Sequence, residues 1–182
     1  GVSKLAVELY LGYYARVQGL QTVALRFGNV YGPRQDPHHE AGVVAIFCGR
    51  VLEGKPLTIY GDGSQTRDYI YVADVADAFV TAAFASLAPA GPVDTRAFNV
   101  GTQVETSVLD LARMLAEVSG RDPVIEHAPR RAGELQRSVL ANGKAAAQLG
   151  WRPRRALRDG LTETFAWFAA RAAAASAPGG RR

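Results

Sequence analysis

Apolar side chains recur at helical spacing from the start of the chain. Val2, Leu5, Leu9, Tyr10, Tyr13 and Val17 share one face, and Gly19 supplies a stop. The pattern predicts an amphipathic helix over about residues 2–18, its aromatic band facing a core or a partner subunit. Thr22–Phe27 reads as a buried strand. It empties into Gly28–Gly42, a stretch rich in Gly, Pro and Asn, the kind of loop in which α/β proteins place ligands. A second helix spans Val43–Leu52 and is closed by Gly54. The stretch from Leu57 to Asp74 follows, around which the rest is organised. Leu57, Ile59 and Tyr60 are apolar and β-prone, as are Tyr69, Ile70, Tyr71 and Val72. Gly61-Asp62-Gly63 between them predicts a sharp reversal and a hairpin-like unit. Asp74 reads as the cap of a helix through Ala76, Phe79, Val80 and Ala83 to about Leu87.

The alternation continues to the end of the chain. After a loop at 88–92, Ala97–Val100 is a short strand ended by Gly101. Ser107 opens a helix to about Ser119, with Asp110 three residues on as its capping-box partner. Pro123–Glu126 is a short strand and Ala128–Arg137 a basic loop. Asn142 starts a short helix ending at Gly150-Trp151. Leu157, Leu161, Phe165 and Phe168 mark a last amphipathic helix, with Trp167 beside that face. Ala172–Arg182 reads as a fraying tail. Strands alternating with helices predict an α/β fold with some parallel sheet.

Composition and charge narrow the function classes. With 182 residues and 48% hydrophobic content, the chain has material for a real core. It has no run of 18 apolar residues, and its first residues do not read as a secretory leader. Cys48, the one cysteine, rules out an internal disulfide and suits a reducing, cytoplasmic setting; it falls in an apolar helical pattern as a small core residue. The net charge is +4, yet the basic residues are dispersed. The exception is Arg152, Arg154, Arg155 and Arg158, read as the solvated face and first turn of a helix. A nucleic-acid surface would need a basic stripe with aromatics between, so small anions suit the balance better. His38 and His39 have no metal-ligand spacing around them. Within Gln65-Thr66-Arg67-Asp68, two readings stand side by side. Arg67 is placed to meet a phosphate, or it forms a surface ion pair with Asp68. No G-x-x-G-x-x-G turn links a strand to a helix, so most of any dinucleotide site lies elsewhere.

Five motifs in order make the pattern specific. They are Leu25-Arg-Phe-Gly-Asn-Val-Tyr-Gly-Pro33; Ile59-Tyr-Gly-Asp-Gly-Ser-Gln-Thr-Arg-Asp-Tyr69 with Val72-Ala-Asp-Val75; Asn99-Val-Gly101; Pro129-Arg-Arg-Ala-Gly-Glu134; and Leu149-Gly-Trp151. Together they resemble the NAD-dependent sugar-nucleotide epimerase/dehydratase family, within the extended short-chain dehydrogenase/reductases. The resemblance runs to about Phe168. It implies the last strand and helix units of a Rossmann-like parallel sheet (residues 1–30, with contributions from about 70–101) and a smaller α/β substrate domain over 31–170. The rest, 171–182, is the tail.

The implied activity is NAD-dependent interconversion of UDP-glucose and UDP-galactose at C4, through a transient 4-keto sugar. The implied partners are a UDP-sugar and a second copy of the protein in a homodimer, with no nucleic acid, membrane or metal. A dTDP-glucose dehydratase, a UDP-glucuronate epimerase and a non-catalytic nucleotide-sugar-binding module are the alternatives. Gly1-Val-Ser-Lys4 matches the last four positions of the family's Tyr-x-x-x-Lys pair. Lys4 is therefore the implied catalytic and cofactor-binding lysine, which lowers the tyrosine's pKa and bonds the nicotinamide ribose. The tyrosine and the glycine-rich NAD loop are expected upstream of Gly1, in a longer parent, and the stretch alone is expected to be inactive. The resemblance further places Phe27 near the nicotinamide and Asn29 on the diphosphate. Thr58 and Tyr60 flank the uracil, Arg67 and Arg131 clamp the diphosphate, Glu134 accepts from ribose hydroxyls, and Tyr69 lines the same pocket.

Overall fold

Helix α1 (Val2–Gln18) ends where Gly19 turns left-handed, at φ 68°. A computed structural model describes residues 1–37, 42–89, 91 and 96–176 of the chain. Strand β1 (Ala24–Phe27) follows α1, and the Arg26 guanidinium binds Glu8 two-pronged, at 2.9 and 2.5 Å, fastening helix to strand. The loop predicted from Gly28 contains a further strand, β2 (Asn29–Tyr31). Helix α2 (Val43–Leu52) has the predicted bounds. Its burial explains why: Val44, Ala45, Phe47, Cys48 and Val51 all face inward.

The stretch from Leu57 does not form a hairpin. Its strands β3 (Leu57–Tyr60), β4 (Thr66–Arg67) and β5 (Tyr69–Tyr71) belong to three different sheets. Their partners lie far away in sequence. Strand β3 pairs in parallel with β8 (Ile125–Ala128), and β5 with β2. Strand β4 lies between β7 (Thr106–Ser107), antiparallel, and β9 (Arg137–Ser138), parallel. Gly61 and Gly63 do take positive φ, 73° and 80°, but they redirect the chain to a new sheet rather than fold it back. Strand β6 (Ala97–Val100) pairs in parallel with β1.

Helix α3 (Val72–Phe84) begins two residues before Asp74 and has no side-chain cap. Asp74 is instead buried, and its carboxylate accepts from the backbone N–H groups of Arg154 (3.2 Å) and Arg155 (3.0 Å). Arg152, Arg154 and Arg155 thus belong to a connector held by its backbone, whereas Arg158 lies in the first turn of α6 (Leu157–Ser176), as expected. That helix runs into the stretch expected as a tail; 177–182 lie outside the described residues, as does part of the loop expected at 88–92. Ser107 caps α4 (Val108–Ser119) as predicted, its Oγ accepting from Asp110 N–H at 3.0 Å and donating to the Asp110 carboxylate at 2.6 Å. The short helix α5 (Gly143–Leu149) ends at left-handed Gly150.

Two apolar clusters hold these elements. One packs α2, β3, α4 and α6 around Phe47, Leu57, Ile59, Leu111, Leu115 and Leu161. The other gathers Ile70, Val75, Phe98, Val100, Leu149 and Trp151, with the Trp151 indole donating to the Asp74 carbonyl (3.1 Å). Asp68 ties the segment after β6 to the segment after β9. It is 1% exposed, and its carboxylate accepts from Thr102 N–H and Oγ1, Gln103 N–H and Leu140 N–H. Gly28 packs so close that an added Cβ would sit 2.7 Å from the Asp68 carbonyl oxygen. No helix among the described residues is long and apolar enough to cross a membrane.

Candidate functional site

The pleat of β3 sends Leu57 and Ile59 into the core and leaves Thr58 and Tyr60 half-buried on the opposite face. That face opens onto a cleft of about 430 Å³. All seven residues that the sequence assigned to substrate line it: Asn29, Thr58, Tyr60, Arg67, Tyr69, Arg131 and Glu134. They come from five places in the chain. The parallel register sets Asn29 of β2 directly opposite Tyr69 of β5. Arg67 lies on β4, one residue from the Asp68 hub. Arg131 and Glu134 share a turn after β8, in which Glu134 N–H donates to the Arg131 carbonyl at 3.4 Å and Gly133 is left-handed, at φ 74°.

The polar groups of the cleft are already engaged with one another. The Arg67 guanidinium donates to the carbonyls of Thr66 and Leu135, both at 2.8 Å, and to Glu134 Oε1 at 3.2 Å. It makes no pair with Asp68, whose buried carboxylate is taken up by Thr102, Gln103 and Leu140. The Arg131 guanidinium lies 3.7 Å from the centre of the Tyr60 ring, so a cation covers the ring face that the sequence reading offered to a base. Buried Gln65 fixes the end of β3 by donating to the Tyr60 carbonyl at 2.9 Å. The Tyr69 hydroxyl is buried and has no hydrogen-bond partner among the described residues. Burial pushes that phenol well above its ordinary range, so it is a neutral donor at physiological pH.

Sequence reasoning missed Arg50. It sits in the last turn of α2, lines the cleft, and donates through Nη1 to the Pro56 carbonyl (2.9 Å) and to Thr58 Oγ1 (3.0 Å). The available signal was a single cation in the last turn of an otherwise apolar helix. Val43, Ile46 and Phe47 of the same helix form the cleft's apolar wall.

Two predicted residues lie elsewhere. Phe27, 38% exposed at the carboxyl end of β1, meets the Phe79 ring at 5.5 Å and lines a separate cleft of about 660 Å³ with Leu25 and Ala82. Lys4 is exposed in the first turn of α1 and lines neither cleft. The second cleft has an apolar, aromatic wall where a parallel strand ends, which fits one flat ring of a dinucleotide. The turn glycines among the described residues form no strand–loop–helix cradle for a pyrophosphate, so only the ring end of such a cofactor fits here. Among the described residues no cluster of ligands is suited to a metal. His38 and His39 lie outside the described residues.

Comparison with known proteins agrees with this architecture. The family model for the NAD dependent epimerase/dehydratase family matches residues 1–101. A UDP-glucose 4-epimerase of Mycolicibacterium smegmatis is 47% identical over 165 residues, covering 91% of this chain and 51% of that protein. The crystal structure of a UDP-glucose 4-epimerase from Thermotoga maritima, solved with UDP-glucose, superposes with a TM-score of 0.85 at 42% identity, over 94% of this chain and 53% of that one. The UDP-glucose 4-epimerase of Thermus thermophilus, solved with NAD, gives 0.79 at 46% identity, over 90% and 51%. The chain thus spans about half the length of the relatives it matches. With its Rossmann-like parallel pairs and the family's pattern across more than half its length, the chain belongs to the NAD-dependent epimerase/dehydratase family.

Proposed function

We propose that this chain forms the nucleotide-sugar-holding part of a UDP-sugar 4-epimerase that interconverts UDP-glucose and UDP-galactose. The observation that carries the reading is the convergence of two arginines, a carboxylate, an amide, two tyrosines and a threonine on one cleft, in a chain of this family. Arg67 and Arg131 supply fork-shaped donors for a diphosphate, and Asn29 adds an amide donor. Glu134 accepts from ribose hydroxyls while one of its oxygens holds Arg67 in place. As Arg131 turns from the Tyr60 ring to the phosphates, the ring face passes to the base. The Tyr69 hydroxyl, a donor without a partner among the described residues, receives an oxygen of the ligand.

Phe27 would wall the nicotinamide ring and Lys4 would bond the adjoining ribose. NAD, once bound, supplies hydride acceptance and return at the sugar carbon that inverts. The Lys4 ammonium stabilises a neighbouring phenolate there. A homodimer contact on α1 fits the same reading. No α1 residue is buried, and Leu9, Tyr10, Tyr13 and Tyr14 line an apolar groove on its surface. The reading is tested by calorimetric titration of the chain with UDP and UDP-glucose, and by UDP-galactose conversion by the complete gene product with NAD. Micromolar UDP binding that weakens at least tenfold in Arg131→Ala supports it. Unchanged UDP affinity in that variant removes the diphosphate assignment.

A further inference from the structure

We propose that Arg50 and Thr58 select the base, favouring a keto pyrimidine such as uracil over an amino pyrimidine such as cytosine. The inference rests on the reading of this cleft as a nucleotide site and goes beyond it by naming what reads the ring edge.

Thr58 and Tyr60 stand two residues apart on one face of β3, a spacing of about 7 Å. A ring stacked on Tyr60 therefore brings its edge to the Thr58 hydroxyl. In most sites a hydroxyl is indifferent to polarity, because it rotates to donate or accept as the ligand requires. Thr58 is biased in that choice, because one of its two acceptor lone pairs is already taken while its proton stays available. Its oxygen accepts from Arg50 Nη1 at 3.0 Å, and the same nitrogen is anchored on the Pro56 carbonyl at 2.9 Å. A guanidinium has no lone pair and does not lose its proton, so the direction of this bond cannot reverse.

Two effects follow from that bond. A hydroxyl that accepts from a cation is polarised into a stronger donor. The fixed positive charge also raises the potential at this wall of the cleft, attracting a carbonyl oxygen and repelling an amino N–H. Among the described residues no acceptor takes the hydroxyl's own proton. The 4-keto oxygen of uracil matches that donor, whereas the 4-amino group of cytosine opposes it.

The test is calorimetric titration of the 182-residue chain with UDP and with CDP, which differ only at this edge of the ring. The wild type is expected to prefer UDP by about tenfold, the scale of one well-aligned hydrogen bond against a mismatched one. Thr58→Val keeps the side chain's shape and removes the hydroxyl; Arg50→Met keeps the apolar stem and removes the charge. Each should bring the UDP:CDP ratio below about threefold, chiefly by weakening UDP, with thermal melts confirming that both variants fold. A wild type that binds both nucleotides equally, or a ratio unchanged in Thr58→Val, overturns the inference and leaves the nucleotide reading standing. Binding of neither nucleotide by the folded wild type overturns both.

Discussion

Tyr69 holds a buried hydroxyl in the wall of the cleft without a partner among the described residues, an arrangement that proteins rarely keep unless something else satisfies it. Tyr69→Phe should therefore leave thermal stability within about 0.5 kcal/mol of wild type, since no bond inside the chain is lost. UDP-glucose affinity should fall about fivefold, the worth of one neutral hydrogen bond. A melt and a titration on the same preparation separate the two effects. Arg67→Ala makes the opposite case, because its guanidinium also holds the turn that carries Glu134. It should cost both stability and more than about tenfold in UDP affinity. At this scale the sequence was most informative through its family resemblance, which picked out seven residues, scattered along the chain, that the fold brings to one cleft. It was silent on contacts between cleft residues. Nothing in the spacing of Tyr60 and Arg131 says that one lies on the other, and Arg50 reads as an ordinary helix end until Thr58 is seen beside it.

Helices were legible because apolar positions repeat every three to four residues and because Gly19, Ser107 and Gly150 mark their ends. Most strands of two or three residues were not, β5 excepted. Strands β2, β4, β7 and β9 are too short to show alternation, and their partners lie tens of residues away. Asp74 illustrates a related difficulty. An aspartate before an apolar run reads as a cap, yet tertiary contact enlisted its carboxylate for the connector at Arg154–Arg155. Asp74→Ala should strand those two N–H groups and lower stability by about 2–4 kcal/mol, measurable by urea denaturation. A mere helix cap would cost about 1 kcal/mol, which is the loss expected for Ser107→Ala. If α1 carries the proposed homodimer contact, Tyr10→Asp, at a side chain 66% exposed in the single chain, should shift the sedimenting species from dimer to monomer and lower the melt only by the stabilisation that association supplied. An unchanged sedimentation profile would remove the proposed contact from this helix.

Across the whole molecule, acid is expected to weaken the three-stranded sheet β7-β4-β9, whose strands are clasped by charge. Glu105 accepts from Arg137 and from Thr66 Oγ1 (2.8 Å), and these bonds hold its pKa at about 2, below its ordinary value of 4.5. A carboxylate depressed on folding contributes stability that is complete above the ordinary value and vanishes as pH falls toward the folded one. The melting temperature should therefore drop between about pH 4.5 and 2, and Glu105→Gln should flatten that part of the profile. The larger consequence follows from the path of residues 57–71 through three separate sheets. A molecule seated among Asn29, Thr58, Arg67 and Tyr69 touches β2, β3, β4 and β5 at once. It would act as a rivet through sheets that share no backbone ladder with one another. Occupancy should then slow amide exchange in all three sheets together, well beyond the residues touched, and the melt should rise with ligand concentration as mass action requires. Substrate, on this view, completes the protein's own tertiary structure.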